Sequence, residues 1–305
     1  MRSVRSRTGQ RARPGVGGVA VDVAAELDRA RQAHLRRRWG DAAESFAKVD
    51  AISPLDVDDL DRLAEALDLV GRGDDAIAVL QRVHAARVDA REIGKAVRNA
   101  FWLYRALAFN AEFAQAGAWI ARATRLTAGR TDCSEQGYLL LPAAERELRD
   151  GDYQGAFATA EKAAARGARC GDRDVVTVAV HLQGRARVGE GRISEGLALL
   201  DEAMLAISAG ETSSRVTAWI YCKTIQTCNQ PGVRRAPGPR VDRRAQRVVR
   251  FPAAVHRRVF RDPSLRAVAV GRRLARSGTR GPAGVPAADP RLRPDRHRRC
   301  VLPAR

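Results

Sequence analysis

With 305 residues, 45% hydrophobic, 29% charged and only 5% aromatic, the chain has length for up to two domains. No apolar run approaches the roughly 18 residues a helical membrane span needs, which excludes an integral membrane helix. The formal charge of +19 suggests a nucleic-acid binder, but it divides into +5 over residues 1–20, −3 over 21–230 and +17 over 231–305.

Residues 1–20 carry Arg2, Arg5, Arg7, Arg11 and Arg13 and no acid. They lack an apolar core before any cleavage site, so they are not a secretory signal. They are expected to be a basic disordered leader, or upstream sequence from a misplaced start codon. Gly15-Val16-Gly17-Gly18 follows Pro14 rather than a strand and reads as a linker, not a phosphate cradle.

Residues 21–230 are rich in Ala, Leu, Arg, Asp and Glu and contain no β-branched run of period two, a helical composition. Similar units recur along them: Arg38-Trp39-Gly40-Asp41 before Ala42-Ala43, Gly71-Arg72-Gly73-Asp74 before Ala76-Ile77, and Asn110-Ala111-Glu112-Phe113. Asp150-Gly151-Asp152-Tyr153 before Gly155-Ala156 and Gly189-Glu190-Gly191-Arg192 before Gly196-Leu197 complete the series. With turn residues placed at 40, 73, 110, 151 and 191, the spacing predicts helical hairpins stacked as a solenoid. In each, a first helix ends at a Gly or Asn able to turn left-handed, and a small residue one turn into the second helix permits close approach. The expected pairs are 24–38 with 41–51, 56–71 with 74–88, 90–109 with 111–127, 133–149 with 152–169, and 173–189 with 192–208. A further first helix over 212–228 is expected to present Val216, Trp219, Ile220 and Ile225 to a second helix that the residues after it cannot form, which implies poor solubility through exposed apolar surface.

Residues 231–305 change character: 21 Arg, no Lys, no Glu, and 10 of the 13 prolines. One reading is a disordered cationic arm on phosphate backbones. The other is translation in a shifted frame, since GC-rich codons read out of phase give Arg, Pro, Ala and Gly. Permitted codons for 241–257, started one nucleotide later, spell W-T-D-A-L-N-A-W-C-D-S-Q-P-Q-F-T-G, in which acids and aromatics return together. Composition favours the shifted frame.

Little chemistry is encoded. There is no G-x-x-x-x-G-K-[ST], no H-E-x-x-H and no G-x-S-x-G. His34, His84 and His181 are isolated from one another, and Cys133, Cys170, Cys222, Cys228 and Cys300 form no C-x-x-C pair. This pattern favours packing roles and a reducing, cytoplasmic setting. Arg72-Gly73-Asp74 is explained by its interhelical turn. Asp56, Asp58, Asp59 and Asp61 cluster at a helix start, where the macrodipole favours negative charge; a metal site there is second choice.

Several stretches resemble the tetratricopeptide-type helical region of actinobacterial LuxR-type transcriptional regulators. They are Ala100-Phe101-Trp102-Leu103, Asp132-Cys133-Ser134-Glu135-Gln136-Gly137-Tyr138-Leu139, Gln183-Gly184-Arg185-Ala186, Glu195-Gly196-Leu197, Leu200-Asp201-Glu202-Ala203-Met204 and Ile220-Tyr221-Cys222. The shifted-frame string also resembles the next stretch of sequence in that family. The resemblance implies a regulator cut short before its helix-turn-helix domain.

The expectation is therefore an all-α solenoid of tetratricopeptide-like hairpins over 21–230, non-enzymatic, without cofactor or metal. It would engage a protein segment or small ligand on a concave face lined by first helices. Candidate binding residues there are Trp102, Tyr104, Tyr138, Gln183, Arg185 and Tyr221. The alternative is a nucleic-acid-binding protein with a genuine Arg-rich arm. Salt-dependent DNA binding, lost on deletion after Gln230, would favour it.

Overall fold

The computed structural model describes residues 22–129, 135–230 and 233, all within one compact unit, Met1–Val268. The leader expected over 1–20 and, Val233 apart, the tail expected over 231–305 lie outside the described residues, as do Cys133 and Cys300.

Among the described residues the secondary structure is helical throughout. The first helices of successive pairs are α1 (Val23–Leu35), α3 (Val57–Leu69), α5 (Ile93–Phe109), α7 (Glu135–Asp150), α9 (Arg173–Gly189) and α11 (Ser214–Cys228). Their partners are α2 (Trp39–Asp50), α4 (Gly73–Asp89), α6 (Phe113–Leu126), α8 (Tyr153–Arg169) and α10 (Ile193–Ala209). From α1 to α10 each helix packs mainly on its sequence neighbours, α11 packs mainly on α9, and other first helices also pack on one another. The fold is an α-solenoid of antiparallel hairpins, with boundaries within a few residues of those expected from the repeats.

One turn geometry builds all five hairpins. The chain leaves each first helix through a left-handed residue: Arg37, Gly71, Ala111, Gly151 or Gly191, with φ between 57° and 84°. The next amide then reaches back to the helix's last turn, as Arg72 N to Leu67 O and Arg192 N to Arg187 O do, both at 2.9 Å. This backward bond satisfies a carbonyl the helix end leaves open. The sequence pointed instead to Gly40, Gly73 and Asn110 at three of these turns. The structure places Gly40 and Gly73 in the first turn of the second helix and gives Asn110 a φ of −79°. The left-handed site is fixed by where the first helix ends, and Arg37 and Ala111 occupy it despite their Cβ atoms.

The fourth residue of every second helix is small and buried: Ala42, Ala76, Ala116, Ala156 and Gly196. At Gly196 the reason is geometric. A Cβ there would lie 2.6 Å from the carbonyl oxygen of Gly184, and one on Gly184 would lie 2.9 Å from that of Gly196. The backbones of α9 and α10 therefore touch, and no side chain fits between them. One apolar cluster runs from Ala30 on α1 to Val233, the continuous core that stacked hairpins need because no pair buries its own apolar face. Several first helices start at side-chain caps: Asp22 for α1, Asp56 for α3, Asp172 for α9 and Ser213 for α11. Each such cap contributes about 1 kcal/mol.

The expectation for α11 needs correction. Val216 and Ile220 are fully buried and Trp219 is 5% exposed, while Ile225 is half-buried. Among the described residues its partners are earlier helices. α11 packs on α9 and α10 and also reaches α3, and the Trp219 ring lies 6.1 Å from Phe101 of α5. Curvature of the stack brings the sixth first helix back onto the second and third.

Candidate functional site

The first helices α5, α7, α9, α11 and α3 pack on one another in turn, and the expected inner surface centres on Phe101. That ring is 1% exposed and lies 5.3 Å from Trp102, 6.4 Å from Tyr104, 5.2 Å from Tyr138 and 6.1 Å from Trp219. Three of the six expected site residues, Trp102, Tyr104 and Tyr138, thus meet in one aromatic group. Gln183 on α9 and Tyr221 on α11 are buried, and Arg185 on α9 is half-buried. All six sit on first helices, and the aromatic ones are buried core residues.

Guanidinium groups ring the aromatics. Arg98 lies 5.3 Å from the Tyr138 centroid and pairs with Asp172 at 2.9 Å. Arg215 lies 5.5 Å from the Trp102 centroid and pairs with Asp61 at 3.2 Å, joining α11 to α3. Arg105 sits 4.0 Å above Trp219, a distance at which a ring quadrupole attracts a cation. The Tyr104 hydroxyl donates to Glu145 of α7 at 3.2 Å. Burial, reinforced by the Glu145 charge, pushes the Tyr104 hydroxyl up to about 12.

The charges are not evenly matched across this surface. At the α3 end every carboxylate of the acidic cluster has an arginine: Asp56 and Asp59 meet Arg31, Asp59 also meets Arg62, Asp58 meets Arg87, and Asp61 meets Arg215. Asp59, fully buried, is held ionised because Arg31 and Arg62 outweigh its burial. Ion pairing accounts for the cluster, and among the described residues no His, Cys, Asp and Glu side chains assemble a metal-ligand group. Toward α9 and α11 the pattern reverses. Arg105, Arg185 and Lys223 all titrate below their ordinary values, chiefly through burial, and Lys223 is lowered further by Arg185 and Arg105.

The histidines separate accordingly. His34 Nε2 meets Glu65 at 2.9 Å, and His84 Nδ1 meets the Ala96 carbonyl oxygen at 3.0 Å. His181 is 1% exposed with both ring nitrogens unpartnered, and burial holds its pKa well below the ordinary value.

Inspection of the sequence missed Arg105, Glu145 and Lys223. A signal was available in the structural repeat. Gly71, Ala111, Gly151 and Gly191 fall at 40-residue steps, and the same step aligns Glu65, Arg105, Glu145 and Arg185. One inner position of four successive first helices therefore alternates acid and base.

No family model and no curated protein matches the chain. Among solved structures, a Podosopora anserina chain described as a kinesin light chain with nearly identical TPR-like repeats is 17% identical. It aligns over 62% of this chain and 97% of its own, with a TM-score of 0.42. MamA protein is 17% identical over 63% of this chain and 96% of its own, with a TM-score of 0.39. The TPR2AB-domain:pHSP90 complex of yeast Sti1 is 13% identical over 84% and 95%, with a TM-score of 0.29. The hairpin architecture itself rests on the packing of α1 to α11.

Proposed function

We propose that this protein is a non-enzymatic scaffold whose inner first helices engage a protein segment or a small ligand. The supporting observation is convergence. α5, α7, α9 and α11, separated in sequence by whole hairpins, bring aromatic rings and charged groups together around Phe101 and Glu145. Aromatic faces beside guanidinium groups are the chemistry from which recognition surfaces are built. Descent from the repeat region of LuxR-type regulators is part of the proposal and rests on the sequence resemblance.

The test is selection followed by surface mapping. Binders are selected on the full chain from a displayed peptide library and from a panel of small metabolites. Each is then measured against Arg185→Glu/Lys223→Glu on the inner surface and Lys48→Glu/Lys162→Glu, exposed on the second helices α2 and α8, on the outer one. The inner variant should lose at least tenfold in affinity for most binders, and the outer variant should keep it. Binders indifferent to the inner pair would refute the reading.

A further inference from the structure

Three cations on this surface have no carboxylate within ion-pair distance among the described residues. Other buried or half-buried arginines close such pairs: Arg187 with Glu190 at 2.8 Å and Arg215 with Asp61 at 3.2 Å. Arg105 instead rests on the Trp219 ring at 4.0 Å, with its Nε buried and unpartnered. Lys223 finds only the Gln226 side-chain oxygen, at 3.4 Å. Arg185 takes no hydrogen bond or ion pair among the described residues, and Arg149, one helical turn beyond Glu145, adds a further positive charge that opposes that of Arg185. Glu145 is the nearby carboxylate, acts on all three cations, and already accepts the Tyr104 hydroxyl.

Unmatched charge in a half-buried place is costly, and natural interiors pair it or neutralise it. Here the cost is visible: burial depresses Arg105, Arg185 and Lys223, while Arg149 lowers Arg185 further, Arg185 and Arg105 lower Lys223, and Arg185 and Lys223 lower His181. Further polar atoms lie beside them without partners. Both nitrogens of His181, one turn before Arg185, and Oγ1 of Thr224, next to Lys223, are buried and unbonded. Guanidinium forks suit phosphate and carboxylate oxygens.

We propose that α5, α7, α9 and α11 form a binding site for a small organic anion, its phosphate or carboxylate group held between Arg105, Arg185 and Lys223. The proposal rests on the reading of the inner surface as the ligand-engaging one and names the ligand class. The ligand supplies negative charge beyond that of Glu145, the carboxylate these three cations share.

Inorganic pyrophosphate and citrate serve as probes, titrated into the full chain by calorimetry at matched ionic strength, with thermal melting in parallel. One arm tests phosphate oxygens and the other carboxylates. At least one probe should show saturable binding and raise the melting temperature. Arg185→Gln and Lys223→Gln should each weaken that binding at least tenfold, whereas Arg173→Gln, with an exposed side chain, should leave it unchanged. Without anion, both inner variants should melt higher than the parent, because each removes a repelled, half-buried charge. A purely structural role predicts the opposite sign. The proposal is overturned if the inner variants bind like the parent, as they would were the anions held by the arginines of residues 231–305. It is equally overturned if both variants melt lower without anion, or if neither probe binds. If selected peptides still depend on the inner surface while neither probe binds, the anion site fails and the scaffold reading survives.

Discussion

The two ends of the inner surface share a backbone design and differ in electrostatics. Around α3, carboxylates and cations close on each other: Asp59 with Arg31 and Arg62, both at 2.5 Å, His34 with Glu65 at 2.9 Å, and Arg215 with Asp61 at 3.2 Å. Around α9 and α11, Arg185 and Lys223 close no ion pair among the described residues, and Glu145, the carboxylate that acts on both, is shared with Arg105. The helices, the turn and the small fourth residue are common to both, so the fold accepts either sign at the repeated inner position. Matched charges fasten one first helix to the next. Unmatched charges add nothing to packing and leave binding capacity free.

Phe101 belongs to both ends, which makes its removal the severest test. Its ring meets Tyr138 of α7 and Trp219 of α11 in tilted contacts. Phe101→Ala should cost about 3–5 kcal/mol, as for other large buried aromatics, read from urea unfolding. Hydrogen exchange should show protection lost in α3 as well as in α7 and α11. Loss confined to α7 would mean that the two ends are not joined through this ring.

Asp61→Ala attacks the matched end alone. Arg215, 8% exposed, would keep its charge and lose the carboxylate that answers it. A buried charge left unpaired is strongly destabilising. Because Asp61 itself is partly solvated, the expected loss is nearer to about 2 kcal/mol. The contrast with Arg185→Gln, expected to stabilise, states the difference between the ends as a difference of sign.

The unmatched end should also carry an acid sensitivity. The folded pKa of His181 lies well below its ordinary 6.5, because of burial and then the charges of Arg185 and Lys223. As pH falls through 6.5 the unfolded chain takes a proton that the folded chain refuses, so stability declines toward acid and is regained above 6.5. The steepest slope for one such group is about 1.4 kcal/mol per pH unit. His84, lowered by burial, contributes in the same direction. His181→Leu, chosen because Leu141 holds the same place one 40-residue step earlier, should remove one share of the slope between about pH 6.5 and 5. An unchanged slope, measured by urea midpoints across that range, would assign the sensitivity elsewhere.

The hairpins were legible because local rules govern them: Gly151 and Gly191 mark turns, and Ala42, Ala76 and Gly196 mark close contacts by their size alone. The inner site was only partly so. Trp102, Tyr104 and Tyr138 stand out as aromatics in a chain with few, and Arg185 was found as a residue of a first helix expected to line the concave face. Arg105 and Lys223 look like ordinary solvated charges in a sequence where cations are common. Their burial depends on superhelical curvature, which brings α11 onto α3 and α5. The same curvature covers Val216 and Ile220, which appeared in the sequence as a face awaiting a partner. Curvature accumulates from small rotations between hairpins, and no single residue records it.

The turns offer the smallest effect and the internal standard for the others, since they are the same at both ends. Ala111 holds a φ of 65° where Gly151 and Gly191 hold 84° and 82°. A Cβ in this region presses on the neighbouring carbonyl, at a cost of about 1 kcal/mol that glycine does not incur. Glycine returns part of that gain through the greater freedom of its unfolded chain. Ala111→Gly should therefore stabilise by about 0.5 kcal/mol, and Gly151→Ala should destabilise by a similar amount, its Cβ meeting open space rather than a clash. The paired signs, read as opposite shifts of the urea midpoint at constant slope, would show that both turns obey the left-handed rule and that the ends differ in charge alone. A loss at Ala111→Gly would mean that the turn between α5 and α6, which precedes the unmatched end, is held by something other than its backbone bonds.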